Sequence, residues 1–146
     1  MTKPADLPRG IRNNNPGNIR LSRVKWVGQI DGADNEFVTC EHPMWGLRMI
    51  GKVLLIYHHY RTASDGSAID TVQEVIDRWA PPSENDTDAY AAHVRDLLNV
   101  EKGEVIDLDE RPVLVTLMRA IVKHENGSDP YPERWYELAA ELAAIT

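Results

Sequence analysis

Apolar residues recur at helical spacing from about residue 43 to the end of the chain and show no helical period before it. The clearest stripe is Leu114, Leu117, Met118 and Ile121, at i, i+3, i+4 and i+7, one buried face of a helix. The next position on that face is Glu125, so the apolar stripe ends in a carboxylate. Asn126-Gly127 then stops the helix, because Gly takes the left-handed C′ conformation without a Cβ clash. Asp109 or Arg111 starts this helix, with Pro112 in its first turn. A longer helix runs from His42-Pro43 to about Tyr60. Its stripe of Leu47, Ile50, Leu54 and Tyr57, widened by Val53, Leu55 and Ile56, predicts a central helix buried on most sides. Thr71-Val72-Gln73-Glu74 has the form of a capping box and opens a helix with Val72, Val75, Ile76 and Trp79 inward. Ala80-Pro81-Pro82-Ser83 ends it. Asp86 or Thr87 caps the next, with Tyr90, Val94, Leu97 and Leu98 on its inner face and Gly103 as its breaker. A last helix carries Trp135, Leu138, Ala139 and Leu142 inward.

The first forty residues read differently. Residues 1–10 form a loose arm with Pro4, Pro8 and Gly10. Residues 11–35 are loop with short strands, at Ile19 to Leu21 and Val24 to Val27, followed by a third strand from Glu36 to Cys40. The run Asn13-Asn14-Asn15-Pro16-Gly17-Asn18 is dense turn chemistry. The expectation is a mostly α (α+β) fold, a single helical domain over residues 1–146 with a small N-terminal β/loop patch.

Composition narrows the function. The chain has 146 residues, 42% hydrophobic and 27% charged, an ordinary globular balance with length for one real core. Its net charge of -7 argues against general nucleic-acid binding, which wants a basic surface. The single Cys40 excludes an internal disulfide and lacks the partners of a zinc cluster. MTKPADLPRG has no apolar h-region, so no secretory signal is expected, and no run reaches the ~20 apolar residues that would span a bilayer.

Candidate chemistry is sparse. His58 and His59 are adjacent on a helix and are expected to point to different sides, His124 points away from Glu125, and there is no HExxH. No metal is expected. There is no GxSxG and no phosphate-binding glycine loop. What stands out is Glu125. A carboxyl continuing a core-facing stripe is partly desolvated, which suits a general acid. The asparagines can donate and accept, which suits neutral hydroxyls and acetamido groups, or they close turns through their own backbone. Arg9, Arg12, Arg20, Arg23 and Lys25 make the same region locally basic. Glu84-Asn85-Asp86 could supply a second carboxylate, with Asp86 alternatively a helix N-cap. Trp26, Trp79, Tyr90 and Tyr131 suit either sugar stacking or core packing.

Two segments together resemble the lysozyme-like superfamily of peptidoglycan-cleaving enzymes. Ala120-Ile121-Val122-Lys123-His124-Glu125-Asn126-Gly127 is similar to the "AIxxxESG" helix end of lytic transglycosylases, where the Glu is the catalytic acid; here Asn126 stands in place of Ser. Asn13 to Arg20, reading NNNPGNIR, resembles the Asn-rich turn and strand that follow the catalytic helix in related glucosaminidases. Phe37 to Tyr60 is similar to their next strand and helix, and Thr87 to Val94 to a later helix bearing a substrate-cleft Tyr. In those enzymes the Glu helix comes first. Here it comes late, the order a circular permutation would produce, which is tolerated when termini lie close together. RNNNPGNIR, RWAPPSENDT and the late HENG also make nearly the whole chain resemble small phage and prophage proteins often labelled virion structural proteins.

The resemblance implies peptidoglycan glycan-strand cleavage, by a muramidase or lytic transglycosylase route. Glu125 would be catalytic, and Asn14, Asn18, Glu84, Asp86, Thr87 and Tyr90 would bind substrate. No cofactor is implied. The expected partners are a peptidoglycan glycan strand and other virion proteins, with no nucleic acid and no membrane insertion. The expected location is a phage virion or host cytoplasm, with action on the cell wall. The rival implication is a non-enzymatic virion structural or wall-binding protein on the same scaffold.

Overall fold

The computed structural model describes residues 6–145. Among these residues, six helices and one two-stranded sheet follow in the order α1 (Arg9–Arg12), β1 (Gln29–Ile30), β2 (Thr39–Cys40), α2 (Pro43–Tyr60), α3 (Val72–Trp79), α4 (Thr87–Leu98), α5 (Arg111–Asn126) and α6 (Glu133–Ile145). The fold is mostly α, with the β patch near the start of the chain. The expected loose arm lies outside the described residues over 1–5. Its end, Arg9 and Gly10, is not loose but begins α1.

Helix ends follow local chemistry. His42 caps α2, its Nδ1 accepting from the Met44 N–H at 3.0 Å, with Pro43 in the first turn. At α3 Thr71 caps as the spacing predicts, but Glu74 reaches back to the residue before the cap instead of to the Thr71 N–H. Thr71 Oγ1 accepts from the Glu74 N–H and also donates to Glu74 Oε1, which accepts from the Asp70 N–H as well. Thr71→Ala is therefore expected to cost about 1 kcal/mol, read as a lower urea midpoint with an unchanged m-value. Asp86 caps α4 by accepting from the Ala89 N–H at 3.2 Å. Its other end differs from the expectation: Asn99, in the left-handed conformation at φ 57°, stops the helix four residues before Gly103. Asn can take that conformation at low cost, and the glycine is then free to serve the following turn.

α2 is the central helix, packed against α6, α5, α3 and β2. Leu47, Ile50 and Leu54 are fully buried and face Leu114, Leu117, Met118 and Ile121 of the α5 stripe within one core. Two helices sit rotated from the predicted faces. In α4, Leu97 is 52% exposed and Ala91 takes the inner position with Tyr90 and Val94. In α6, Leu138 is 46% exposed and the buried face is Tyr136, Ala139, Ala140 and Ala143. Small residues let α6 lie close on α2, where Ala143 meets the bare Cα of Gly51. That close approach, with Tyr136 as anchor, excludes a Leu from the seam.

The β patch is smaller than predicted. Thr39–Cys40 of the third predicted strand pairs antiparallel with Gln29–Ile30, and the first predicted strand contributes only the bridge from Arg20 to Phe37. Val24 to Val27 is not a strand. Val24 and Val27 are exposed, and the chain turns through Gly28 at φ 82°, with the Gln29 N–H on the Trp26 carbonyl. Val38, Cys40 and Met49 form a second small core beneath the patch, with Ile19, Trp26 and Trp45 around it. Asp34 ties α1 to this patch. Its carboxylate accepts from Arg9 Nε and Nη2 at 2.6 and 2.8 Å, from Asn13 at 2.9 Å and from the Glu36 and Phe37 N–H groups. Arg9 first, then the backbone donors, hold its carboxyl well below the usual carboxylate range. The ionised form is thus favoured in the fold, so this stabilisation is complete above the ordinary carboxylate pKa and is lost only as the pH falls below it.

Candidate functional site

Glu125 lies in the last turn of α5, half-buried, at the wall of a cleft of about 510 Å³. The same cleft is lined by Gly17, Asn18, Arg20 and Phe37 from the β patch, Tyr57 from α2, Trp79 from α3, and Glu84 from the loop before α4. Each oxygen of the Glu125 carboxylate faces a donor: Asn18 Nδ2 at 3.4 Å from Oε2, and the indole Nε1 of Trp79 at 3.4 Å from Oε1. Both distances are long for hydrogen bonds, so the carboxylate is oriented without being tightly bound.

The neighbouring Asn126 fixes this corner. It is buried, and its Nδ2 donates to the Pro16 carbonyl at 2.8 Å and to the Val122 carbonyl at 2.9 Å. The position where the transglycosylase-like phrase would carry Ser thus holds a clasp between the end of α5 and the Asn-rich turn. Gly10 of α1 closes over the same corner, its Cα against Asn126 Oδ1 and Asn18 Oδ1.

The asparagine run divides into distinct tasks. Asn14 and Asn18 both adopt the left-handed conformation, at φ 53° and 51°. Asn14 Nδ2 donates to the Cys40 carbonyl at 3.0 Å, bracing the turn on β2, and Asn14 does not line the cleft. Asn18 does line it and reaches Glu125. Asn15 is fully buried. Its amide donates to the Ile19 and Val38 carbonyls, both at 2.9 Å, and accepts from the Ile19 N–H at 3.1 Å. The sequence shows Asn15 only as part of the turn-forming run. One Asn among several in a turn-rich run carries no local signal of burial.

Of the other expected site residues, the structure brings only Glu84 to the cleft wall. Asp86 is occupied as the α4 cap. Thr87 is buried with its hydroxyl donating to the Ala80 carbonyl at 2.6 Å. Tyr90 is also buried, stacked on His124 with ring centroids 3.7 Å apart. Burial pushes its phenol far up, and the Glu125 charge pushes it further, so the ring backs the Glu125 turn as a neutral group. Its hydroxyl has no hydrogen-bond partner among the described residues. Trp79, which the sequence left open to either core packing or sugar stacking, is half-buried: it packs against the core and also lines the cleft. The lining residues include two carboxylates, Glu84 and Glu125, and no His or Cys.

The mostly helical scaffold thus presents a half-buried carboxylate, amide donors and aromatic rings in one open cleft. No family model matches the chain. It is 30% identical over 137 residues to Protein P5 of Pseudoalteromonas phage PM2, with 89% of this chain and 78% of that protein covered. The chain belongs to the family of that phage protein. Among the described residues, no helix is long and apolar enough to cross a membrane.

Proposed function

We propose that this phage-family protein cleaves peptidoglycan glycan strands on a circularly permuted lysozyme-like scaffold. The observation that carries this reading is Glu125 itself: a carboxylate at the end of a buried helical stripe, facing an open cleft between two side-chain donors. Glu125 protonates the glycosidic oxygen between N-acetylmuramic acid and N-acetylglucosamine. It then acts as base, on water or on the sugar's own 6-hydroxyl. Glu84 is the second carboxylate if the route is hydrolytic; the 6-hydroxyl route needs none. Asn18 binds an acetamido or hydroxyl group, and Trp79 and Tyr57 offer faces for sugar rings.

Mass spectrometry of digested wall reads the chemistry directly. Anhydro ends identify the transglycosylase route and reducing ends the hydrolase; no glycan fragments overturn the assignment. Trp79→Phe removes the indole N–H while keeping an aromatic wall. A hydrogen bond to a charged group is worth about 1.5–3 kcal/mol, and this one is long, so a loss of roughly tenfold in kcat/KM is expected.

A second reading is favoured by the relationship to a phage protein: a virion component that uses the same cleft to hold wall glycan without cutting it. Its partners are the glycan strand and other virion proteins. Such a protein sediments with purified wall and leaves a zymogram uncleared.

A further inference from the structure

His58 and His59 at the end of α2 meet the loop that leads into α5, and none of these residues lines the cleft. His58 and His59 were expected to diverge. In the structure their rings lie with centroids 5.0 Å apart, and both turn toward Asp107-Leu108-Asp109. His58 Nε2 is 3.6 Å from Asp107 Oδ1, and His59 Nε2 is 2.7 Å from Asp109 Oδ1. One ligand atom each from His58, Asp107 and Asp109 lies within 4.8 Å of the other two, close enough for a single ion to touch all three.

Each of these three side chains is oriented by a further group. His58 Nδ1 lies 3.0 Å from the Ile69 carbonyl. A carbonyl can only accept, so Nδ1 carries a proton, and in the neutral ring Nε2 is the nitrogen left to present a lone pair toward the carboxylates. Asp107 Oδ1 accepts the Asp109 N–H at 2.9 Å, and Asp109 is held by His59. Backbone carbonyls on ligand imidazoles and histidines on ligand carboxylates are the outer contacts that metal sites use to orient ligands. The loop is also anchored to the core. Leu108, between the two aspartates, and Ile69 are fully buried, and the Ile106 N–H donates to the Asp70 carbonyl at 2.7 Å. Ligands on a pre-set frame lose little entropy on binding.

We propose that His58, Asp107 and Asp109 form a binding site for a divalent transition metal, with His59 as the positioning residue for Asp109. One imidazole and two carboxylates favour Zn²⁺, Co²⁺ or Mn²⁺ over Mg²⁺ and Ca²⁺, which prefer all-oxygen shells. The open side of the site, at exposed Asp107 and Asp109, leaves room for water ligands. A bound ion would join the C-terminal end of α2 to the start of α5, and it binds whether or not the cleft is catalytic.

The test is calorimetric titration of Zn²⁺ into the untagged full chain in a non-chelating buffer, with Co²⁺ absorption as a second probe. One saturating equivalent of Zn²⁺ is expected, unaffected by millimolar Mg²⁺. Asp107→Asn and Asp109→Asn keep an oxygen for the local turn contacts and should each weaken Zn²⁺ at least tenfold. His59→Ala should weaken it by about 10–100-fold, the usual effect of an outer-contact loss. His93→Ala, at an exposed histidine on α4, should change nothing. Absence of saturable binding overturns the proposal, as does binding that survives both aspartate substitutions or is lost with His93.

Discussion

Glu125→Gln is expected to lower glycan-fragment release by about 10²–10⁴-fold, the range a positioned general acid contributes. Gln is nearly isosteric and keeps an oxygen that can still accept from Asn18 or Trp79. It has no acidic proton to give the glycosidic oxygen. The helix end does not depend on the charge, because Asn126 and Gly127 form it. Asn126 clasps Pro16 and Val122, and Gly127 sits at φ 73° with its N–H on the Lys123 carbonyl. The variant should therefore melt close to the parent and still sediment with purified wall. Undiminished clearing by it on a zymogram would remove Glu125 from the mechanism. Equal wall sedimentation by both proteins with no clearing by either would favour the binding reading.

Asn15→Ala is expected to be among the most damaging single changes, at roughly 3–5 kcal/mol. Two backbone groups depend on this side chain alone, the carbonyl of Val38 and the N–H of Ile19; the Ile19 carbonyl, its third contact, also accepts the Val38 N–H. The site is fully buried, so water does not replace the lost partners, and each unsatisfied buried group costs about 1–3 kcal/mol. Asn15→Asp is a useful companion: it keeps the acceptor for the Ile19 N–H but loses both donors and buries a charge. Chemical denaturation should show a large fall in midpoint for both. A change under about 1 kcal/mol would mean that the patch is held by other contacts, such as Asn14 on Cys40. Asn18 lies in this segment, so partial unfolding of the patch in the Ala variant should also reduce ligand binding in the cleft.

Much of the helical framework was legible because its signals are local. The α2 and α5 stripes, the Thr71 cap, the Asp86 cap and the Gly127 stop each lie within one or two turns of chain, and each appears where the spacing predicted. The failures share a cause. Leu97 and Leu138 fit an inward period as well as their neighbours do, and only the partner helix decides between adjacent registers. In α6 that partner presents Gly51, so alanines face it and Leu138 does not. Val24 to Val27 has strand-like residues, but the turn at Gly28 moved the pairing on to Gln29–Ile30.

The sequence by itself determined that the chain is mostly helical, that its first forty residues are turns and short extended pieces, and that one apolar helical face ends in Glu125. Only the tertiary structure decided what surrounds that carboxylate. Asn18 lies 107 positions away along the chain and Trp79 46, and the Asn126 to Pro16 clasp spans 110. Periodicity and capping act over one or two helical turns and cannot register such pairs. The division of the asparagines into a brace, a buried keystone and a cleft donor follows from where α1, α2 and α5 converge. The same convergence leaves Asp86 and Thr87 to hold a helix end, and sets the indole N–H of Trp79 toward Glu125 while its ring stays packed on the core.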